Sequence, residues 1–370
     1  MSTRTRAATR RLTILNSEPL SVAIIGTIGM DSIHVVERMP ENGESLNAIS
    51  MRRLPGGKGA NTAIAVCRAS RHKPIPGDDA DQEGEEVAGE TRQLSPGEIG
   101  SNENNIEINI YMNGSVGNDK IGRILKANLV KHDIDVSGVQ VCNDDHSTTC
   151  NVFVDQHTGQ SRNLGYPGAT PYWRPSEKDS VNCLAAGKRP DLVVVNLGIS
   201  RQVAENIIKV SHRKGVDTIL NASPAMFLLT TTYRSVTHLL LNESEAATMS
   251  GNISEEFSGP SLWERAAKYF IDLGVKYVVI ILSKNEGAYY ATQEGTTGQI
   301  EPEKLESETK DTTGARSTFV GTYVVECLRA KRFGEWDIEK AIRRAYLFST
   351  RAVTELGAQE SIPWADEIDS

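Results

Sequence analysis

Two glycine-rich turns in this chain carry residue types suited to anions, and each opens directly into an apolar run. The first is Pro55-Gly56-Gly57-Lys58-Gly59-Ala60-Asn61. Glycines let the backbone approach a ligand closely. The helix start that follows offers free N–H groups and the positive end of a dipole. Lys58 and Asn61 add polar reach. The Gly-x-x-x-x-Gly-Lys-Ser/Thr spacing of a nucleotide P-loop is missing, so the turn reads as a cradle for a different polar ligand. The second is Asp311-Thr312-Thr313-Gly314-Ala315-Arg316-Ser317-Thr318-Phe319, followed by an apolar run over 320–328. Backbone N–H groups at such a turn can stabilise charge during group transfer. An ordinary helix start, capped by Ser317 or Thr318, is the alternative reading.

Elements that could position these turns are legible on either side. Continuous apolar runs at 22–26, 106–112, 192–197, 218–221, 239–241 and 277–282 predict buried strands. Helical patterns fill the gaps at 60–70, 121–132, 201–213, 261–273, 318–330 and 338–354. Unalternating strands separated by helices predict a mainly parallel sheet covered on both faces, a three-layer α/β/α sandwich. Residues 32–53 and 148–165 show only patchy alternation and predict a small accessory sheet. Residues 71–105 are acidic and rich in Gly and Pro, which predicts a disordered surface insertion. Residues 1–20 hold Arg4, Arg6, Arg10 and Arg11 with no acid before Glu18, either a flexible tail or a transit peptide.

Together the two turns resemble the ribokinase-like carbohydrate kinase family, also called PfkB. Further segments agree in order: Gly114-Ser115-Val116-Gly117-Asn118-Asp119 with Gly122, then Asn242-Glu243-Ser244-Glu245, then the tail Gly357-Ala358-Gln359-Glu360-Ser361-Ile362-Pro363-Trp364. The resemblance runs from Ser21 onward. It implies one domain over 21–366, with the two patchy stretches forming a β-sheet lid. It implies ATP-dependent phosphorylation of a sugar hydroxyl, and dimers formed through the lid. Asp31, at the end of the first strand, would hold the sugar with Gly57, Lys58 and Asn61. Asn242 and Glu245 would organise phosphates and Mg²⁺, and Ser283 and Gly287 would border the nucleotide. Asp311, Thr313, Ala352, Gly357 and Ser361 match positions around a monovalent cation such as K⁺. Gly314, Ala315, Arg316 and Ser317 match the catalytic anion turn.

Four positions depart from the family pattern. The general-base aspartate is replaced by Ser317, whose hydroxyl is far too weak a base near neutral pH. The glycine before it is Arg316, which could neutralise phosphate charge, fill the γ-phosphate space or point to solvent. Gly29 stands where an asparagine is expected, and Gly198 where a sugar-binding glutamate is expected. The nucleotide turn also differs, reading Ile281-Leu282-Ser283 with an extra residue before Gly287. Three readings follow: an unusual sugar kinase, a pseudokinase that binds without turnover, or a pocket recruited to another reaction.

Composition narrows the partners. The net charge is -8, which disfavours nucleic acid, since phosphate backbones need a basic surface. No apolar stretch is long enough to cross a membrane. Five cysteines, an odd number without CxxC spacing, point to unpaired thiols in a reducing, cytoplasmic setting. The seven histidines show no metal-ligand or triad spacing, so each reads as a surface or structural residue.

Overall fold

The computed structural model describes residues 18–74, 106–158, 161–251, 259–282, 286–302, 312–355 and 357–369. The expected disordered insertion, most of the N-terminal tail, Ser283 and Asp311 lie outside or largely outside these residues.

The apolar runs form the strands of a nine-stranded sheet. Its strands are β1 (Leu20–Ile25), β4 (Ile108–Gly117), β5 (Asp135–Cys142), β8 (Leu192–Asn196), β9 (Asp217–Asn221), β10 (His238–Asn242), β11 (Tyr277–Ile281), β12 (Ala288–Thr292) and β13 (Thr297–Ile300), in the order β13-β12-β11-β10-β9-β8-β1-β4-β5. All pairs from β5 across to β11 are parallel, and β12 and β13 add an antiparallel hairpin at one edge. A second sheet has β2 (Gly29–Val36), β3 (Ser50–Gly56), β6 (Thr148–Asp155) and β7 (Ser161–Tyr166), in the order β3-β2-β6-β7.

Helices cover both faces of the large sheet, so the α/β/α sandwich expected from the sequence is the observed fold. On one face lie α1 (Lys58–Ser70), α2 (Lys120–Lys131), α6 (Ala315–Phe333) and α7 (Ile338–Ala352). On the other lie α3 (Arg201–Arg213), α4 (Glu243–Met249) and α5 (Pro260–Asp272). Helix α3 shows why such segments fold as they do. Val203, Ala204, Ile207, Ile208 and Val210 recur on one side at helical spacing and are all buried. Helix α6 is different. It lies between α1 and α7, and its buried residues run almost without a break from Ser317 to Leu328. A Cβ on Gly321 would sit 2.9 Å from the backbone carbon of Ala65, so the glycine lets α6 and α1 touch.

Four of these elements, β5, β12, β13 and α4, have no counterpart among the sequence-based expectations. Strand β5 is an edge strand with mostly exposed or half-exposed residues, so it lacks an apolar run. The β12–β13 hairpin is short, and β13 reads Thr-Gly-Gln-Ile. Helix α4 has seven residues, too few for a periodic pattern. Asp31 also moves: β1 ends at Ile25, and Asp31 stands inside β2 of the small sheet. The chain passes from one sheet to the other within the short turn over 26–28.

Candidate functional site

Three of the parallel strands end on asparagine at the same edge of the large sheet. These are Asn196 closing β8, Asn221 closing β9 and Asn242 closing β10. The crevice outside the carboxyl ends of parallel strands is where ligands bind in open α/β sheets. Here the asparagines build a buried polar chain. Asn196 Nδ2 donates to the Ile25 carbonyl at 3.2 Å, and Asn221 Nδ2 donates to Asn196 Oδ1 at 2.8 Å. Asn242 caps α4: its Oδ1 accepts from the Glu245 N–H at 2.7 Å, while its own N–H donates to Glu245 Oε2 at 2.8 Å. This reciprocal capping box fixes the Glu245 carboxylate over the strand ends.

The first glycine turn forms the wall beside β1. Gly57 is the residue before α1 and has φ of 92°. A Cβ there would meet the Thr27 carbonyl oxygen at 2.6 Å and the Gly29 nitrogen at 2.7 Å, so only glycine fits. Lys58 projects toward the asparagine edge and donates to Ser223 Oγ. Burial holds its amine below the usual lysine range, and Glu245 pulls the other way. Asn61 is buried, and its Oδ1 accepts from Gln359 Nε2 at 2.8 Å. Asp31 reaches this wall from the small sheet, lying against Gly56 and paired in register with Cys150 of β6. Burial raises the Cys150 thiol pKa, with the Asp31 charge adding to the rise and Lys58 opposing it.

The second turn forms the facing wall. Gly314 precedes α6 with φ of 98°, so neither Ser317 nor Thr318 is the cap; Thr318 Oγ1 instead donates back to the Gly314 carbonyl at 3.0 Å. Ala315 and Ser317 fall in the first helical turn, where N–H groups lack helical partners. Ser317 is buried at 5% exposure. Arg316 does not point to solvent. Its Nη2 lies 2.7 Å from Glu245 Oε2, and it donates to Asn221 Oδ1 through Nε at 3.2 Å and Nη2 at 3.1 Å. Nη2 also reaches the Leu240 carbonyl at 3.3 Å, while Nη1 is buried with no hydrogen-bond partner. Burial lowers the guanidinium pKa, and the Glu245 charge opposes that. Tyr346 of α7 lies within electrostatic range of Arg316 and donates its hydroxyl to the Gly287 carbonyl. Gly287 has φ of 83°, so a turn that favours glycine stands at this point.

The remaining residues form a loop behind that wall. Gly314 packs against the Ala358 carbonyl, so the turn and the tail loop adjoin. Thr313 stands in the turn, Ala352 is buried at the end of α7, and Gly357 has φ of 98°. Ser361 Oγ is buried without a hydrogen-bond partner. An orphan hydroxyl in a polar loop fits a monovalent cation, for which Thr313, Ala352, Gly357 and Ser361 would supply oxygens. Mg²⁺ fits less well. The carboxylate expected to organise it, Glu245, already receives the Asn242 N–H and the Arg316 guanidinium.

Two of the departing positions, Gly29 and Gly198, have structural consequences. A Cβ at Gly29 would lie 3.1 Å from the Thr148 carbonyl oxygen, and Gly198 has φ of 118°. A glutamate at 198 would be strained in that conformation. The residues that sequence reasoning passed over are Asn196, Asn221, Ser223, Tyr346 and Arg68. The asparagines did leave a signal, since three apolar runs each close on that residue. His238 is a structural histidine as read. It lies among Tyr277, Tyr323 and Trp336, bonds the Tyr323 hydroxyl at 3.0 Å, and burial pushes its pKa down to about 3. All five cysteines are unpaired. Among the described residues no helix is long and apolar enough to cross a membrane.

Known proteins are similar to this chain in sequence and in fold. Residues 103–365 match the family model for pfkB family carbohydrate kinases. Ribokinase of Schizosaccharomyces pombe is 24% identical over 360 residues, covering 95% of this chain and 97% of that protein. Ribokinase of Staphylococcus aureus is 26% identical over 351 residues, covering 94% and 98%. Among solved structures, Giardia lamblia ribokinase superposes with a TM-score of 0.75 at 20% identity, covering 95% and 99% of the two chains. Arabidopsis thaliana ribokinase complexed with ribose and ATP gives 0.72 at 21%, covering 95% and 97%.

Proposed function

The chain belongs to the pfkB family of carbohydrate kinases, and from that premise we propose that it is a sugar- or nucleoside-binding member with strongly attenuated phosphoryl transfer. The carrying observation is the Arg316–Glu245 pair at 2.7 Å beside Ser317. Where the family pattern has a glycine and a base, this chain has a cation locked onto a carboxylate and a hydroxyl. Losing a general base costs typically about 10² to 10⁴ in rate. Phosphoryl transfer also draws on positioning and electrostatics, so a trace can survive.

The cradle supports retained ligand binding. Gly57 and Lys58, with Asn61 held by Gln359 and Asp31 reaching in from the small sheet, offer donors and acceptors for hydroxyl groups. Ribokinase complexed with ribose and ATP, and a Burkholderia thailandensis nucleoside kinase in complex with inosine, share the fold. ATP and K⁺ are the small partners this reading carries over. It also carries over a cytoplasmic homodimer joined through the small sheet, where Met51, Leu164 and Tyr166 are exposed.

The test combines turnover with binding. The protein is incubated with ATP, Mg²⁺, K⁺ and a panel of pentoses, hexoses and nucleosides, and ADP release and phosphorylated product are followed by mass. The expected outcome is ligand-induced thermal stabilisation with at most trace product. Robust turnover on any member of the panel sinks the attenuated-kinase reading.

A further inference from the structure

We infer that Arg316 is a resident cation that takes the place of a divalent metal, so that this pocket binds nucleoside polyphosphates without Mg²⁺. The inference rests on the reading of the pocket given above and adds the chemistry of its second ligand.

The argument starts from Glu245. Mg²⁺ prefers several oxygen ligands in near-ideal octahedral geometry and keeps much of its water. A carboxylate that orders such a hydrated ion needs free lone pairs facing the phosphates. Here one of the two oxygens, Oε2, is taken: it accepts from the Asn242 N–H at 2.8 Å and sits 2.7 Å from Arg316 Nη2. The same guanidinium is tied to Asn221 at 3.1 and 3.2 Å and to the Leu240 carbonyl at 3.3 Å. Four contacts to three neighbours fix it against the strand ends, which a solvent-facing arginine would not show.

A guanidinium can do part of what the metal does. It is permanently charged, planar and weakly hydrated, and it binds phosphate through several N–H groups. Arg316 retains an unspent donor, since Nη1 has no hydrogen-bond partner. Lys58, bonded to Ser223 Oγ, lies within electrostatic range of both Glu245 and Arg316. The first-turn N–H groups of α6 add partial positive charge at the same wall. Two side-chain cations and a helix start thus accompany Glu245 at this wall, while the other carboxylate of the pocket, Asp31, lies against Gly56 on the cradle side.

The experiment measures ADP and ATP binding to the full chain by calorimetry and thermal shift, in EDTA and in excess Mg²⁺. The expected result is nucleotide affinity that changes less than about threefold between the two buffers. Arg316→Gly should lose about tenfold or more in EDTA and regain it with Mg²⁺. Arg316→Lys, which keeps the charge, should stay metal-independent. Wild-type binding that requires Mg²⁺, or absence of nucleotide binding in both buffers, overturns the inference. So does an Arg316→Gly protein that binds equally well in EDTA. If Arg316→Gly does not fold, the wild-type and Arg316→Lys comparison still decides. Sugar-induced stabilisation measured in the same buffers reports separately on the cradle, so intact sugar binding with failed nucleotide binding counts against this inference alone.

Discussion

The two walls of the pocket differ in what their contacts serve. On the cradle wall, buried polar contacts hold residues ready for a ligand. Gln359 positions Asn61 across 298 positions of sequence, and Arg68 pins the Gln359 loop. On the phosphoryl wall, contacts are spent within the protein, with Arg316 closing onto Glu245, Asn221 and Leu240. Both walls have a glycine with positive φ just before a helix, Gly57 and Gly314. The backbone device is therefore the same, and only the side chains beside it have diverged. The same glycine turn can thus stand beside ligand-facing groups on one wall and an internal ion pair on the other.

The largest expected effect breaks this comparison directly. The double variant Arg316→Gly with Ser317→Asp releases Glu245 and supplies a carboxylate at the base position. If the cradle wall is intact, sugar phosphorylation should rise by about 10² to 10⁴ over wild type, measured as phosphorylated product per unit time. Silence in a folded, nucleotide-binding double variant would mean that the cradle has diverged too. Gly29 and Gly198 would then be the residues to examine, because each removes a side chain from the sugar side.

The sequence carried most of the fold, but not the wiring of the candidate site. Buried parallel strands are apolar throughout, so β1, β8 and β10 were legible as runs. Strand β5 was not, because an edge strand exposes most of its side chains. The two glycine turns were legible as helix-opening turns, and Gly57 and Gly314 do precede helices with positive φ. The direction of Arg316 was not legible, because charge and length alone allow it to face solvent, phosphate or Glu245. The link from Gln359 to Asn61 also depends on the tail loop returning to the first helix, which no local pattern encodes. The placement of Asp31 failed by a few residues, since the chain leaves one sheet for another without a helix between.

A middle-sized effect sharpens the comparison from the cradle side. Arg68 Nη1 donates to the carbonyls of Gln359 at 2.8 Å, Glu360 at 3.3 Å and Ile362 at 2.7 Å, and its guanidinium stacks over Trp364 at 5.2 Å. Hydrogen bonds to a charged group contribute about 1.5–3 kcal/mol each, and these three share one nitrogen. Arg68→Met keeps the stem's packing and should cost about 3 kcal/mol in chemical denaturation. Sugar affinity should fall with it, because Asn61 loses its fixed partner. Nucleotide affinity should fall less, because Arg316 itself takes no contact from this loop and only Gly314 of its turn packs against it. Equal loss on both ligands would show that the walls act as one unit.

The smallest effect concerns Ser361, and its sign carries the argument. A buried hydroxyl without a partner costs the folded state about 1 kcal/mol or more, unless something satisfies it. In buffer free of K⁺, Ser361→Ala should therefore leave stability unchanged or raise it by about 1 kcal/mol. With K⁺ present, wild type should gain stability through mass action on a folded-state site, and the variant should lose that gain. Thermal unfolding in KCl against choline chloride at equal ionic strength separates the two terms. A variant that is less stable in both salts would mean that the hydroxyl has a structural partner. The cation loop would then belong with the spent contacts of the phosphoryl wall rather than with the ready contacts of the cradle.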